Sequence, residues 1–237
     1  MVTGPASADV AATLSLADWR RRIGSLYAEV RSLAASDPAA ALAHWRTTRE
    51  ALYRDHPQSP VPMDRRSTFR AAHFEHDPAL RLELTVEPHE AIAPVGLAAS
   101  DGIGGPIDFG PAAGSLAIEL PVSAGGAMTF RRFGAVTIPF PGGSRRLELY
   151  WMEGYAGGLF LPFRDATNGT ETYGAGRYLL DAAKSADLGG DPAAGTVVLD
   201  FNFAFQPSCA FDPKWACPLA PASNRLDVPI RAGERIV

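Results

Sequence analysis

The stretch that decides the fold is Leu80-Arg81-Leu82-Glu83-Leu84-Thr85-Val86-Glu87, in which apolar and polar side chains alternate strictly. Because successive side chains of a strand point to opposite faces, this alternation predicts a strand with one buried face. The same period recurs at residues 116–120, 128–130, 136–138, 147–151, 197–205 and 226–230. Gly-Gly pairs fall between or beside these runs, where turns need the positive φ that glycine adopts readily.

No long helical pattern separates the runs. They therefore favour an antiparallel β-sandwich or small barrel over a fold in which helices connect parallel strands. Residues 98–114, which lie between two of the runs, are rich in Gly, Pro and Ala and are predicted to form a flexible loop.

Two helices are predicted ahead of the strands. Residues 15–33 carry apolar side chains at steps of three and four, behind the start signal formed by Ser15 and Asp18. Asp37-Pro38 begins a second helix, and Pro57 ends it. The predicted fold is thus mainly β with an N-terminal α-helical hairpin, α+β in class. We divide the chain into a disordered N-terminus (1–14), a helical hairpin that packs on the β domain (15–56) and a β-rich domain (57–237).

The composition excludes several classes of protein. The 237 residues are 46% hydrophobic and 20% charged, which provides enough apolar material for a folded core. The net charge of −4 offers no basic surface, so we expect no binding to nucleic acid or to a membrane. The first residues show no signal-peptide pattern, and no stretch approaches the ~20 apolar residues of a membrane span. We therefore expect a cytoplasmic protein, with its oligomeric state left open.

Familiar catalytic and metal-binding motifs are absent from the sequence. It contains no P-loop, no G-x-S-x-G elbow, no H-E-x-x-H and no paired C-x-x-C. His73 and His76 would point to opposite faces of a strand, and the two cysteines supply only half of a tetrahedral zinc site. We therefore predict no metal and no cofactor.

The densest polar cluster spans residues 163–178. Asp165 is suited to accept backbone N–H groups in an Asx-type turn, and two glycines let the chain curl into an anion-binding nest. Arg177 could then provide the counter-charge for a carboxylate or phosphate. Alternatively, Arg177 pairs with Asp165 or Asp181 and pins the loop to the sheet.

Asp200 and Asn202 alternate with the phenylalanines of the 197–205 run. If the phenylalanines line the core, the two polar side chains lie on the other face of the strand. There they could either orient a ligand or provide hydrogen-bond partners for a covering loop.

Cys209 and Cys217 stand eight positions apart. Three fates are open to them: reduced side chains that fill small apolar sites, a disulfide that closes a short loop, or a reactive pair in which one thiolate attacks and the other resolves. A lasting disulfide would be unusual in the cytoplasm.

Several segments together resemble a known family. They are Phe163 to Tyr178, Leu199-Asp200-Phe201-Asn202, Pro207-Ser208-Cys209, Cys217-Pro218-Leu219, Asn224 and Arg231-Ala232-Gly233-Glu234, with His56-Pro57-Gln58-Ser59-Pro60, Phe74 and Asp77-Pro78-Ala79-Leu80-Arg81 ahead of them. This set spans most of residues 19–235 and is similar to the domain-of-unknown-function 1684 family. The resemblance implies no activity, cofactor or catalytic residue.

Three functional hypotheses follow. The first is a binding module that holds a small polar or anionic molecule in a pocket built by the 164–178 loop and the 197–205 strand. Its predicted ligand contacts are Arg177, Thr172, Gly174, Gly176 and Asn202. The alternative is an enzyme, hydrolase-like or thiol-dependent, whose candidate catalytic residues are Asp165, Tyr173, Asp200 and Cys209. The third treats the loops as scaffolding and the helical hairpin as a surface for a protein partner.

Overall fold

The computed structural model describes residues 7–89, 117–153 and 157–236. Three helices lie in its N-terminal part: α1 (Ala8–Ala34), α2 (Pro38–Asp55) and the short α3 (Met63–Arg66). Both long helices that the sequence predicts are therefore present. The predicted flexible loop at 98–114 lies outside the described residues.

Helix α1 begins earlier than the sequence pattern indicates. Residues 8–14, which we assigned to a disordered N-terminus, are helical, because the Ser7 hydroxyl accepts the Val10 N–H and caps an alanine-rich first turn. The second helix begins where predicted, with the Asp37 carboxylate accepting the Ala40 N–H at 2.9 Å. Residues 1–6 of the predicted disordered segment are not among those described.

Ten strands follow within the described residues, and every pairing between them is antiparallel. They are β1 (Ala72–His73), β2 (Arg81–Thr85), β3 (Glu87–Pro88), β4 (Ala117–Pro121), β5 (Ala127–Ile138), β6 (Arg145–Met152), β7 (Gly158–Phe163), β8 (Arg177–Asp181), β9 (Thr196–Asp200) and β10 (Glu234–Arg235). Six of them form one sheet in the order β3-β5-β6-β7-β8, with β4 also paired to β5. The remaining four form the pairs β2–β9 and β1–β10.

The six-stranded sheet buries apolar side chains on both faces. Phe130, Tyr150 and Phe160 pack with the helices α1 and α2 in one core. Leu147 and Leu161 pack in a second core, which includes the inward side chains of β9. The sheet therefore lies between the helical hairpin and the β2–β9 pair, and the predicted α+β class with an antiparallel sheet is confirmed.

Some predicted strands differ from the observed ones. The runs at 128–130 and 136–138 belong to the single strand β5, which carries a register shift between Arg132 and Gly134 where it meets β6. A Cβ at Gly134 would lie 2.8 Å from the Glu87 carbonyl oxygen, so the close approach of β3 requires glycine there. The run at 226–230 forms no strand. Strands β7 and β8 were not predicted.

The predicted strand 197–205 also ends early, at Asp200. The Asp200 carboxylate accepts the Asn202 N–H at 2.9 Å and caps a 3-10 turn over Phe201–Phe203. This turn sends Phe201 into one core and Phe203 with Phe205 into the other. In the described part of the chain, no helix has the length and apolar character that crossing a membrane requires.

Candidate functional site

The polar cluster at 163–178 is organised around a buried ion pair. The Arg177 Nη2 donates to Asp165 Oδ2 at 2.8 Å, and neither side chain is exposed to solvent. Arg177 also donates to three backbone carbonyl groups in residues 230–234. The other carboxylate oxygen of Asp165 accepts the Thr167 N–H at 2.8 Å. The pair therefore ties the loop to the C-terminal segment.

Of the two alternatives for Arg177, the contacts match the one in which it pairs with Asp165 and pins the loop. Burial lowers the pKa of Arg177, and the attraction of the Asp165 carboxylate opposes that effect. The role of Arg177 as counter-charge for a ligand stays a prediction, and it would require the ligand to enter a network that is closed to solvent.

The other ligand contacts predicted in this loop also form hydrogen bonds within the protein. Thr172 is fully buried, and its hydroxyl oxygen lies 2.8 Å from that of Thr167. The Gly176 N–H donates to the Tyr173 carbonyl at 3.0 Å, so it does not point into an anion nest. Gly176 has φ +103°, and a Cβ there would lie 2.4 Å from the Phe163 carbonyl oxygen. Position 176 therefore requires glycine, because any larger side chain would clash with this carbonyl oxygen.

Gly174 likewise contributes a backbone group to the loop. Its carbonyl oxygen accepts a hydrogen bond from Arg164 Nη2 at 2.6 Å. The two glycines thus let the loop close on itself.

Asp200 and Asn202 form a separate buried cluster. The Asn202 side-chain amide accepts the Asp77 N–H at 2.9 Å and donates to the Asp77 carbonyl at 2.8 Å. It also donates to the Asp200 carboxylate at 2.8 Å. Burial raises the pKa of Asp200, although hydrogen bonds from Asn202 and the charge of Arg81 oppose that rise. These contacts fit the alternative in which the pair supports the backbone of a loop.

Tyr173 and Cys209 meet in a third cluster, together with Cys217. Both cysteines are reduced and buried. The Tyr173 hydroxyl lies 3.7 Å from Cys209 Sγ, and the Cys209 N–H donates to Cys217 Sγ at 3.2 Å. The predicted site residues therefore group into three hydrogen-bonded clusters, two of which include residues of the 163–178 loop, and none of these residues lines the cavities described below.

The two thiols differ in acidity. Hydrogen bonds from the Cys217 thiol and from Tyr173 outweigh the effect of burial and lower the pKa of Cys209 to about 6. The same hydrogen bond and burial raise the pKa of Cys217. Burial, with the hydrogen bond to Cys209, raises the pKa of Tyr173 to about 12.

A cavity of about 510 Å³ lies beside this cluster, between α3 and the segments that follow Gln206 and Glu234. Val61, Phe69, Phe211 and Ile236 form its apolar wall. The volume is typical of pockets that hold small molecules. We call this cavity the arginine-rimmed cavity, because the charged side chains that line it include Arg65, Arg70 and Arg235.

Glu234, which lines the arginine-rimmed cavity, belongs to a buried ion pair. Glu234 is buried, and Arg49 Nε donates to it at 2.6 Å from helix α2. Burial opposes the charge on Glu234, yet Arg49 outweighs that effect and keeps the pKa of Glu234 below its usual value. The Gln206 N–H donates to the same carboxylate at 2.8 Å. The charge of Glu234 is thus balanced inside the protein.

No residue pattern in the sequence predicted this cavity. Its walls come from residues 61–72, 206–211 and 234–236, which are far apart in the chain. The sequence signal that could have indicated it is the concentration of arginines around Phe69, at positions 65, 66 and 70. In the residues that the structure describes, no three His, Cys, Asp or Glu side chains come together as a metal site would require.

A second cavity, of about 490 Å³, is lined by Glu87, Pro88, His89, Arg146 and Glu148. Glu148 accepts hydrogen bonds from the Tyr150 hydroxyl at 2.7 Å and from Arg132 at 3.0 Å. Its lining carries both signs of charge, and Glu148 is already satisfied. It therefore offers a weaker case for selective ligand binding than the arginine-rimmed cavity does.

Comparison with known proteins gives a family and a structural relative but no activity. The chain is similar to an uncharacterised protein of Haloarcula marismortui, from gene locus rrnAC0354, whose solution NMR structure is known. The two share 27% sequence identity with a TM-score of 0.54, over 83% of this chain and 93% of the other. No curated protein matches the chain.

A model of the family described as protein of unknown function (DUF1684) matches residues 68–235. Because this match covers well over half of the sequence, the chain belongs to the DUF1684 family.

Proposed function

We propose that the protein binds a small carboxylate with an apolar body, in the arginine-rimmed cavity. The observation that carries the proposal is the set of three arginines that line a cavity together with a mainly apolar wall, in which the one carboxylate, Glu234, is already paired with Arg49. The proposal keeps the anionic ligand predicted from the sequence, but supports it with residues outside the 164–178 loop.

The apolar wall supports a ligand with a hydrocarbon portion. Phe69 and Phe211 contact each other with ring centroids 5.8 Å apart, and Phe211 also packs edge-on against Tyr53. These rings are fixed by the core behind them, so the wall is formed before a ligand arrives. Burial of an alkyl chain or aromatic ring against such a wall contributes about 25 cal/mol per Å² of apolar surface.

The charge balance supports an anion. Glu234 is paired with Arg49, so it does not cancel the charge at the rim. Arg70 lies 3.9 Å from Glu50 and keeps a side chain that is 65% exposed, while Arg65 donates to the Phe211 carbonyl. Arg235 is exposed beside them. Guanidinium groups bind carboxylates through two parallel hydrogen bonds, so this rim favours a carboxylate head group.

The test uses two probes of equal chain length and opposite charge, octanoate and octylammonium, titrated into the purified protein by calorimetry. We expect octanoate to bind and octylammonium to fail. Arg70→Gln combined with Arg235→Gln should weaken octanoate binding about tenfold or more, which corresponds to about 1.4 kcal/mol.

Arg20→Gln provides the matched control, because Arg20 is exposed on helix α1 and does not line the cavity. It should leave the affinity unchanged. Equal binding of both probes, or equal loss of affinity in the control and the double variant, would show that the rim does not recognise the charge.

A further inference from the structure

The two cysteines form an asymmetric pair that the proposed ligand site does not use. Cys209 lies in a 3-10 turn (Ser208–Ala210), and Cys217 lies at the end of the loop that follows it. The Cys209 N–H donates to Cys217 Sγ at 3.2 Å, so the sulfur of one residue rests against the backbone of the other.

Hydrogen bonds from two other segments hold this sulfur pair in place. From the 164–178 loop, the Tyr173 hydroxyl lies 3.7 Å from Cys209 Sγ and 3.5 Å from the Cys209 carbonyl oxygen. On the other side, the Ser123 hydroxyl oxygen accepts the Cys217 N–H at 3.0 Å and donates to the Trp215 carbonyl at 2.8 Å. Two segments distant in the chain therefore position the loop that carries both cysteines. Such an arrangement does more than fill an apolar gap, because apolar filling requires no donor directed at the sulfur.

Access to the pair is narrow. Cys209 is 7% exposed and Cys217 is 5% exposed. The exposure thus favours a small oxidant over exchange with a protein disulfide.

We propose that Cys209 and Cys217 are a peroxide-reactive thiol pair, with Cys209 as the attacking sulfur and Cys217 as the resolving one. The Cys209 thiolate attacks one oxygen of the peroxide, the O–O bond breaks, and Cys209 becomes a sulfenic acid while the other oxygen leaves as hydroxide or alkoxide. The Cys217 sulfur then attacks the sulfenic sulfur and expels water, which forms the disulfide. Each sulfur gives up one electron, and the peroxide takes both. The oxidised pair returns to dithiol through a thiol reductant.

The acidities found above agree with this division of roles. A thiolate is the nucleophile in such reactions, and the resolving sulfur can remain a thiol until the sulfenic acid has formed. The loop between the residues is short, which keeps the second sulfur close throughout. Cys217 is therefore placed to intercept the sulfenic acid before a second peroxide oxidises it further.

The experiment treats the reduced full chain with one equivalent of hydrogen peroxide and follows its intact mass. We expect the loss of two hydrogen atoms and a peptide in which Cys209 is bonded to Cys217. In Cys217→Ser the sulfenic acid should accumulate and be captured by dimedone at Cys209. In Cys209→Ser the remaining thiol should stay unmodified.

The pH dependence distinguishes an activated thiol from an ordinary one. Loss of reduced Cys209 should level off above about pH 7, whereas the rate for an ordinary thiol, with a pKa of about 8.5, still rises up to about pH 9.5. Tyr173→Phe should shift the profile of Cys209 to higher pH. The wild-type mass spectrum remains informative even if a variant folds poorly. Oxidation of wild type to sulfinic acid without a disulfide, or a rate that still rises through pH 8.5, would overturn the proposal.

Discussion

The 164–178 loop and the arginine-rimmed cavity both contain arginine side chains, but the key arginine of the loop is buried, whereas those of the cavity are exposed. In the loop, Arg177 is fully buried, and Asp165 and backbone carbonyls surround its guanidinium. At the cavity, Arg70 and Arg235 are exposed beside an apolar wall. The loop is the more polar sequence, yet only the cavity leaves arginine side chains exposed to solvent. A dense polar motif therefore indicates function only when its donors reach solvent.

The difference has an energetic basis. A buried charge must be paired, because its transfer from water costs far more than one hydrogen bond returns. An exposed charge is solvated and can exchange water for a ligand at little cost. We therefore expect substitutions in the loop to change stability, and substitutions at the cavity to change binding.

The largest expected effect comes from breaking the buried pair. Asp165→Ala leaves Arg177 charged and unpaired in the interior, so the free energy of unfolding should fall by about 3–5 kcal/mol. Arg70→Gln removes an exposed charge and should lower it by less than about 1 kcal/mol. Urea unfolding of the two variants measures the contrast. Equal losses in both would contradict the distinction between the two regions.

The next effect tests how closely the loop is packed. Gly176→Ala must hold a left-handed φ and place its Cβ against the Phe163 carbonyl, so it should cost about 3 kcal/mol. Gly169→Ala has φ +83° with nothing within 4 Å of the new Cβ, so it should cost only about 1–2 kcal/mol. Thermal and urea unfolding compare them. If Gly169→Ala loses more stability than Gly176→Ala, the close contact between Gly176 and the Phe163 carbonyl does not determine the conformation of the loop.

The smallest expected effect is the pH dependence of folding stability that His73 causes. Burial lowers the pKa of His73 to about 4, near the charges of Glu234, Arg46 and Arg49. Because the folded-state pKa lies below the usual 6.5, the unfolded chain binds a proton first as the pH falls. The stability that depends on neutral His73 should therefore be present above about pH 6.5 and should be lost as the pH falls toward 4.

Replacement of this histidine isolates its contribution. Between pH 6.5 and 4.5, His73→Gln should lose about 1–2 kcal/mol less stability than the wild type, a figure reduced for the partial exposure of the side chain. Urea unfolding at several pH values measures both curves. Parallel curves would mean that His73 does not resist protonation in the folded state.

Much of the local structure could be predicted from residue patterns. The alternation in residues 80–87 predicted a strand that the structure contains as β2, and the spacing in residues 15–33 predicted helix α1. The patterns failed where a side chain changed the path of the backbone. Asp200 ends strand β9 by capping the turn after it, although the phenylalanines beyond it continue to alternate.

The candidate site could be predicted only in part. Tyr173 and Cys209, both singled out in the sequence, do contact each other. The cavity could not be found, because its walls come from segments more than 130 positions apart that only folding brings together. The sequence pattern also could not show that Asp165 and Arg177 use their charges on each other.

The sequence by itself therefore determined the helical pair, the antiparallel strands, the family and the residue types available for chemistry. These depend on periodicity, capping and turn propensities, which act over a few neighbouring residues. Only the tertiary structure decided which polar groups are satisfied internally and which remain for a ligand or an oxidant. That outcome depends on burial and on partners distant in the chain, because desolvation and pairing are properties of the packed molecule.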